Sequence, residues 1–171
     1  PFGTNYRQWI RLFDLFAVDT IVSSQQLIMQ LIIQLQAVGK NIADYPVKRI
    51  LCINLDNIQN PLQNHIEDRT QTKVFNLYSP SEFFSAGMLY QCEKHLGQHV
   101  AEDAFLPEII AFGSDKEITE DHRMGELVVT TLTNEAMPLI RYRTGQAVSR
   151  TVEKCECGRT FMRIATPFSY L

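Results

Sequence analysis

The sequence has no apolar run long enough to cross a bilayer. Its longest such stretch, Leu27 to Leu35, is interrupted by Gln30 and Gln34 and falls far short of the about 20 residues a span requires. Positive charge is not in surplus either. Lys and Arg number 16 against 19 Asp and Glu, a net charge of −3, so the chain lacks the basic face that draws proteins to nucleic acid. The first residues, PFGTNYRQW, lack the charged-then-apolar layout of a secretory signal. Internal repeats and low-complexity linkers are absent, and 8 Gly and 7 Pro among 171 residues exclude collagen-like and proline-rich disordered chains. These absences predict a soluble, cytoplasmic globular protein with neither nucleic acid nor membrane as partner. The length accommodates one domain with a real core, or one domain plus a small lobe.

What remains reads as two halves. Trp9, Ile10, Leu12, Phe13 and Phe16 recur at helical spacing over Arg7 to Phe16. Asp19 to Val22 is a short β-branched strand. Ser23 and Ser24 offer an N-cap to a helix over Gln25 to Val38, which Gly39 ends. Arg49 to Leu55 is a nearly continuous apolar run of the kind buried parallel strands carry. Asn60-Pro61 reads as an N-cap followed by proline at the first helical position, opening a helix to about Arg69, and Lys73 to Tyr78 is the next strand. Helix and strand therefore alternate, the signature of a parallel α/β layer, taken here as residues 1–86. Residues 87–171 read instead as successive strands separated by turns: Gly87 to Gln91, His99 to Ala101, Phe105 to Phe112, Glu126 to Thr131, Leu139 to Arg143 and Ala147 to Val152. They predict a mostly antiparallel β subdomain or small distorted barrel.

The four cysteines point to metal rather than to disulfides. Cys155 and Cys157 are too close to bridge without strain, and nothing marks the chain as secreted. Cys92 and His99 flank a turn containing Gly97, while Cys155 and Cys157 flank another, so two turns on adjacent hairpins would assemble a Cys3His set. Such a set is closed and hence structural. Three reduced cysteines with a surface histidine remain the alternative, as does His95 in place of His99. Cys52, inside an apolar strand, reads as core. His65 and His122 are assigned no role.

Three stretches carry a resemblance: VFNLYSPSE (Val74 to Glu82), GELVVTTLTNEAMPLIRYRTGQ (Gly125 to Gln146) and CECGRTFMRI (Cys155 to Ile164), with HVAEDAFLPEII (His99 to Ile110) between them. Together they resemble the adenylate-forming, AMP-producing acyl- and aryl-CoA ligases of the phenylacetate–CoA ligase type. The third stretch matches the cysteine-bearing subset of that family, in which Cys, His and Cys-x-Cys fall in the order of Cys92, His99, Cys155 and Cys157. The resemblance implies ATP, magnesium, coenzyme A and an aromatic or other carboxylic acid as partners, and zinc at the cysteines. It implies that Tyr78 stacks on adenine, Ser81 bonds the α-phosphate or acyl carboxylate, and Glu82 ligates magnesium. Ser79, Asp103, Arg141, Arg143 and Gln146 fall in segments that line the nucleotide in such enzymes. Read from the residues, Glu102, Asp103 and Glu108 fit a solvated edge better than a site. Arg141 and Arg143 alternate along a predicted strand and share a face.

Three positions depart from the family pattern. Gln146 replaces the aspartate that accepts both ribose hydroxyls and offers one acceptor oxygen instead of a carboxylate. Ser79 replaces a turn glycine, which would strain the backbone if that position needs positive φ. Asn54-Leu55-Asp56 stands where a Gly-Ala-Glu turn covers the adenine. The resemblance also implies a phosphate loop upstream of residue 1 and a lysine-bearing domain beyond residue 171. Two readings follow for the chain by itself: the central nucleotide-binding part of a ligase with little activity alone, or a non-catalytic relative acting as a zinc-stabilised binding or assembly module. Phe83 and Phe84 suit an aromatic acid or plain core packing. Self-association is open to a piece that exposes core surface.

Overall fold

The computed structural model describes residues 6–54, 62–85 and 87–165. The chain divides into two compact units, Pro1–Ile53 with Asn60–Phe75 and Asn54–Gln59 with Asn76–Leu171. No helix among the described residues is long and apolar enough to cross a membrane.

In the first unit, helix α1 (Tyr6–Leu15) buries Phe13, and strand β1 (Thr20–Ser23) pairs in parallel with β2 (Arg49–Asn54), Thr20 opposite Arg49 and Ser23 opposite Cys52. Helix α2 (Gln25–Ala37) buries Ile28, Leu31, Ile32 and Leu35, one stripe at i, i+3, i+4 and i+7. Ser24 takes the N-cap position with extended dihedrals, but its side chain makes no capping bond, contrary to the expected serine cap. The other end behaves as predicted. Gly39 sits at φ 73°, its N–H donates to the Gln36 carbonyl and that of Lys40 to Leu35, a Schellman motif. Helix α3 (Gln63–Thr70) ends without glycine, with Gln71 in the left-handed region instead; the predicted Asn60-Pro61 start lies outside the described residues. A short 3-10 turn at Ile42–Asp44 carries a capping box between Asn41 and Asp44. Cys52, fully buried, belongs to this unit's core with Ile50, Ile66 and Val74.

The second unit is antiparallel. Strand β3 (Lys73–Tyr78) ends by pairing Leu77 and Tyr78 with Tyr90 and Leu89 of β4 (Leu89–Tyr90). Strand β4 pairs with β5 (Gln98–Val100), β5 with β9 (Arg163–Ala165), β9 with β8 (Tyr142–Thr151), β8 with β7 (Met124–Thr131), and β7 with β6 (Phe105–Ile110). Two expected strands, Leu139 to Arg143 and Ala147 to Val152, are replaced by the single strand β8. Gly145, at φ 70°, lies inside it, and the β7–β8 register shifts between Glu126 and Val128, so a bulge absorbs what reads in sequence as a break. Arg141 falls outside the strand, at φ 49°, so it does not share a strand face with Arg143 as the alternation predicts. Strand β9 has no counterpart in the sequence reading. Phe83, Met88, Leu89, Val100, Ile109, Leu127, Val148 and Ile164 form the core.

Candidate functional site

Two clusters of chemistry-bearing side chains lie in the second unit. The first is a polar pocket of about 190 Å³ lined by Tyr78, Pro80, Ser81, Glu82, Phe83, Tyr142, Thr144 and Gln146. One wall comes from the turn after β3. Tyr78 ends the strand almost fully buried, and Pro80 leads into a 3-10 turn over Ser81–Phe83. Below it, Asn54 donates a side-chain hydrogen bond to buried Asn76, and the Asn54 carbonyl accepts the Ser79 N–H at 2.9 Å. Ser79 is itself buried, and its hydroxyl oxygen accepts the Gly87 N–H. Ser79 is not among the residues with positive φ, so serine in place of glycine introduces no left-handed strain. Leu55 and Asp56 lie outside the described residues.

The other wall is β8. Tyr142, Thr144 and Gln146 alternate along the strand, so they face one way. Glu126 on β7 holds this segment: its carboxylate accepts Arg143 Nε at 3.0 Å and the Gly145 N–H at 3.2 Å. Thr144 Oγ1 donates to the Leu127 carbonyl at 2.8 Å and accepts the Gln146 N–H at 3.2 Å. In the pocket, Ser81 Oγ lies 3.4 Å from Glu82 Oε2.

Of the residues expected near a nucleotide, the pocket therefore gathers Tyr78, Ser81, Glu82 and Gln146. Ser79 supports it from beneath. Arg143 is held by Glu126 and Asp115, and Arg141 by Glu108 at 3.2 Å; neither lines the pocket, and neither does the exposed Asp103. Tyr142 and Thr144 were missed by the sequence reading. The signal was period two: Gln146 and Arg143 are an odd number of residues apart, so choosing Gln146 selects the tyrosine and threonine rather than the arginines.

The second cluster is Cys92, His99, Cys155 and Cys157, whose ligand atoms all lie within 4.8 Å of one another. The expected grouping is thus brought together in space by two turns. Past β4, the His95 N–H donates to the Cys92 carbonyl at 3.0 Å, with His95 at φ 53° and Gly97 at φ 81°. Past β8, the Gly158 N–H donates to the Cys155 carbonyl at 2.9 Å. His99 comes from β5 and is fully buried. Its Nδ1 lies 3.3 Å from the Phe161 carbonyl oxygen, which can only accept, so Nδ1 carries the proton and Nε2 keeps its lone pair. Cys157 Sγ is 3.5 Å from that Nε2, and Cys92 Sγ is 3.8 Å from Cys155 Sγ. Tyr90 stacks on the His99 ring at 5.7 Å and 29°, and the Arg159 guanidinium lies 5.9 Å above Tyr90.

The thiols are unequal. Burial raises Cys92. Burial also pushes Cys157 upward, but the backbone N–H and guanidinium of Arg159, with hydrogen bonds from Cys155 and Cys92, outweigh it and bring the thiol down to about 6. A Lys94–Glu156 ion pair at 3.1 Å joins the two turns from outside. Four soft and borderline donors converging this closely can hold a metal ion, with no position left for a substrate.

No family model matches the chain. Among curated proteins, it is 39% identical over 104 residues to the phenylacetate–coenzyme A ligase of Thermus thermophilus, a match covering 60% of this chain and 23% of that protein. The phenylacetate–coenzyme A ligase of Pseudomonas putida is 29% identical over 143 residues, 83% of this chain and 32% of that one. Among solved structures, 2-hydroxyisobutyryl-CoA ligase in complex with 2-HIB-AMP and CoA superposes with a TM-score of 0.84 at 18% identity, over 93% of this chain and 37% of that chain. An O-succinylbenzoate coenzyme A synthetase from Bacillus subtilis gives a TM-score of 0.58 at 13% identity, over 94% of this chain and 34% of that chain. The chain matches about a quarter to a third of the length of these relatives. Over that length it is similar to the phenylacetate–coenzyme A ligases, and it has the mixed α/β fold of CoA ligases.

Proposed function

We propose that this relative of the phenylacetate–coenzyme A ligases supplies the adenylate-binding part of an AMP-forming acyl- or aryl-CoA ligase, with the Cys3His cluster as a structural zinc centre. The observation that carries the reading is convergence: YSPSE and RYRTGQ, far apart in sequence, line one polar pocket at Tyr78, Ser81, Glu82, Thr144 and Gln146. In that reading Ser81 donates to a phosphate or carboxylate oxygen and Glu82 offers magnesium a hard oxygen ligand. Gln146 faces the ribose. The pocket is smaller than the about 300–1,000 Å³ of a whole small-molecule site, which suits one moiety of an adenylate rather than the entire molecule. ATP, coenzyme A and a carboxylic acid enter as substrates of the whole ligase by likeness to its relatives.

For zinc, bonds of about 2.3 Å to sulfur and about 2.0 Å to nitrogen at tetrahedral angles give edges of about 3.8 Å between sulfurs and about 3.5 Å between sulfur and nitrogen. The observed Cys92–Cys155 and Cys157–His99 separations, 3.8 Å and 3.5 Å, fit those edges.

Gln146 favours a second reading, a relative that binds without catalysing. Its amide cannot offer two ionised oxygens to a ribose, and Arg141 and Arg143 are already engaged by carboxylates. AMP titrated into the isotopically labelled chain should shift the amide resonances of Ser81, Glu82, Thr144 and Gln146 and leave α2 unmoved. Shifts scattered over the surface, or confined elsewhere, refute the pocket assignment.

A further inference from the structure

We propose that Arg163 is the charge-balancing staple of the metal centre: a buried guanidinium that ties both ligand-bearing loops together and offsets the charge of the thiolates. The inference rests on the metal reading above and assigns a function to a residue outside the ligand set. Arg163 lies on β9, between the strands that feed the two loops, paired with His99 on one side and Thr151 on the other. Only 8% of it is exposed.

Its fork reaches into both loops. Nη1 donates to the Leu96 carbonyl at 3.0 Å, between Cys92 and His99, and Nη2 donates to the Glu153 carbonyl at 3.2 Å, just before Cys155. A planar guanidinium spans two such acceptors with little loss of freedom, which an ammonium cannot do. Carbonyls satisfy these N–H groups without neutralising the charge. None of the ion pairs among the described residues includes Arg163, and its buried Nε has no hydrogen-bond acceptor. A cation this deep without a counter-charge is costly.

The metal centre supplies the counter-charge. A divalent ion bound by three thiolates and a neutral imidazole keeps one net negative charge, which Arg163 balances from the interior while Arg159 meets the Cys157 sulfur from the other loop. The two therefore stabilise each other: metal compensates Arg163, and Arg163 holds the loops at the spacing the metal needs. Without metal, the full charge of the ligand set is not assembled, so the guanidinium is compensated less in the empty site than in the loaded one.

Cobalt(II) is a suitable probe, because thiolate-to-cobalt absorption reports the ligand set directly. Its affinity is measured by competition with a chromophoric chelator in the full chain and in Arg163→Met and Arg163→Lys variants. Arg163→Met is expected to weaken cobalt binding by at least about tenfold and to reduce the rise in melting temperature that cobalt produces. Arg163→Lys, which keeps the charge but cannot grip both carbonyls, falls between. A merely structural role would lower the stability of empty and loaded protein alike and leave the affinity unchanged. Cobalt affinity of Arg163→Met within twofold of the parent overturns the staple alone; if that variant does not fold, unchanged affinity in Arg163→Lys does the same. A parent chain that develops no thiolate-to-cobalt absorption overturns the metal reading and the staple with it.

Discussion

The Nδ1–H of His99 points at the carbonyl oxygen of Phe161, 3.3 Å away, and this contact sets the tautomer of the histidine in the cysteine cluster. It leaves Nε2 as an acceptor 3.5 Å from Cys157, so a buried histidine is already in the tautomer a metal requires. Tyr90 packs along its face and fixes the plane of the ring. His99 is thus oriented by the backbone of one loop and an aromatic residue of a neighbouring strand, an outer sphere of the kind metal-binding histidines commonly need.

Elemental analysis of the purified, untagged chain is expected to give one zinc per chain. Because a closed site contributes its binding energy to folding, dialysis against a strong chelator should lower the melting temperature by at least about 5 °C. Less than about half an equivalent of zinc, or an unchanged melting temperature after chelation, contradicts the assignment.

Gly97 lies in the turn between Cys92 and His99. It sits at φ 81°, and a methyl group there would stand 2.8 Å from the Ile164 carbonyl oxygen. Both strain and contact oppose a side chain, so Gly97→Ala should destabilise the chain by about 1–3 kcal/mol in urea unfolding and weaken metal retention as well. An alanine variant as stable as the parent would show that this turn relaxes without cost.

Replacing Gln146 by aspartate restores a charged acceptor on the pocket face of β8. Hydrogen bonds to a charged group exceed neutral ones by about 1 kcal/mol or more, so AMP should bind Gln146→Asp about tenfold more tightly than the parent. Equal affinity would separate this side chain from the ribose.

Asp14 ties α1 to the end of α2. Its carboxylate accepts Lys40 Nζ at 2.7 Å and the Tyr45 hydroxyl at 2.8 Å, and these bonds, Lys40 first, hold it below the usual carboxylate range. A depressed folded value means the contribution is complete above the unfolded pKa of about 4 and is lost as pH falls through the lower folded value. Asp14→Asn should therefore destabilise the first unit near neutral pH and flatten its acid unfolding below pH of about 4. Because the group is exposed, the effect is small, and an unchanged acid limb would show that the pair contributes nothing.

Much of this was legible in the sequence, for identifiable reasons. The stripe of Ile28, Leu31, Ile32 and Leu35 and the run Lys73 to Tyr78 follow from periodicity alone, since burial repeats at 3.6 or at 2 residues. The Cys3His grouping was legible because cysteine and histidine beside turns have few other uses in such a chain. Strand β8 was not, because Gly145 in the middle of it reads as a breaker when a bulge against Glu126 accommodates it. Nor was β9: three residues, Arg163 to Ala165, carry no usable period, and Arg163 in particular reads as a surface charge until its partners Leu96 and Glu153 come together. The arginines of RYRTGQ stand out in the sequence by their charge, whereas Tyr142, Thr144 and Gln146 of the same segment line the pocket. Which side chains meet across a sheet depends on register, and register is a property of the fold.

The most direct test of the adenylate-binding assignment is calorimetric titration of AMP into the full chain beside its Glu82→Gln and Ser81→Ala variants. Saturable binding by the parent, weakened about tenfold in Ser81→Ala by loss of one charge-assisted hydrogen bond and losing its magnesium dependence in Glu82→Gln, is the predicted result. No heat of binding from the parent at millimolar AMP, with or without magnesium, would contradict it.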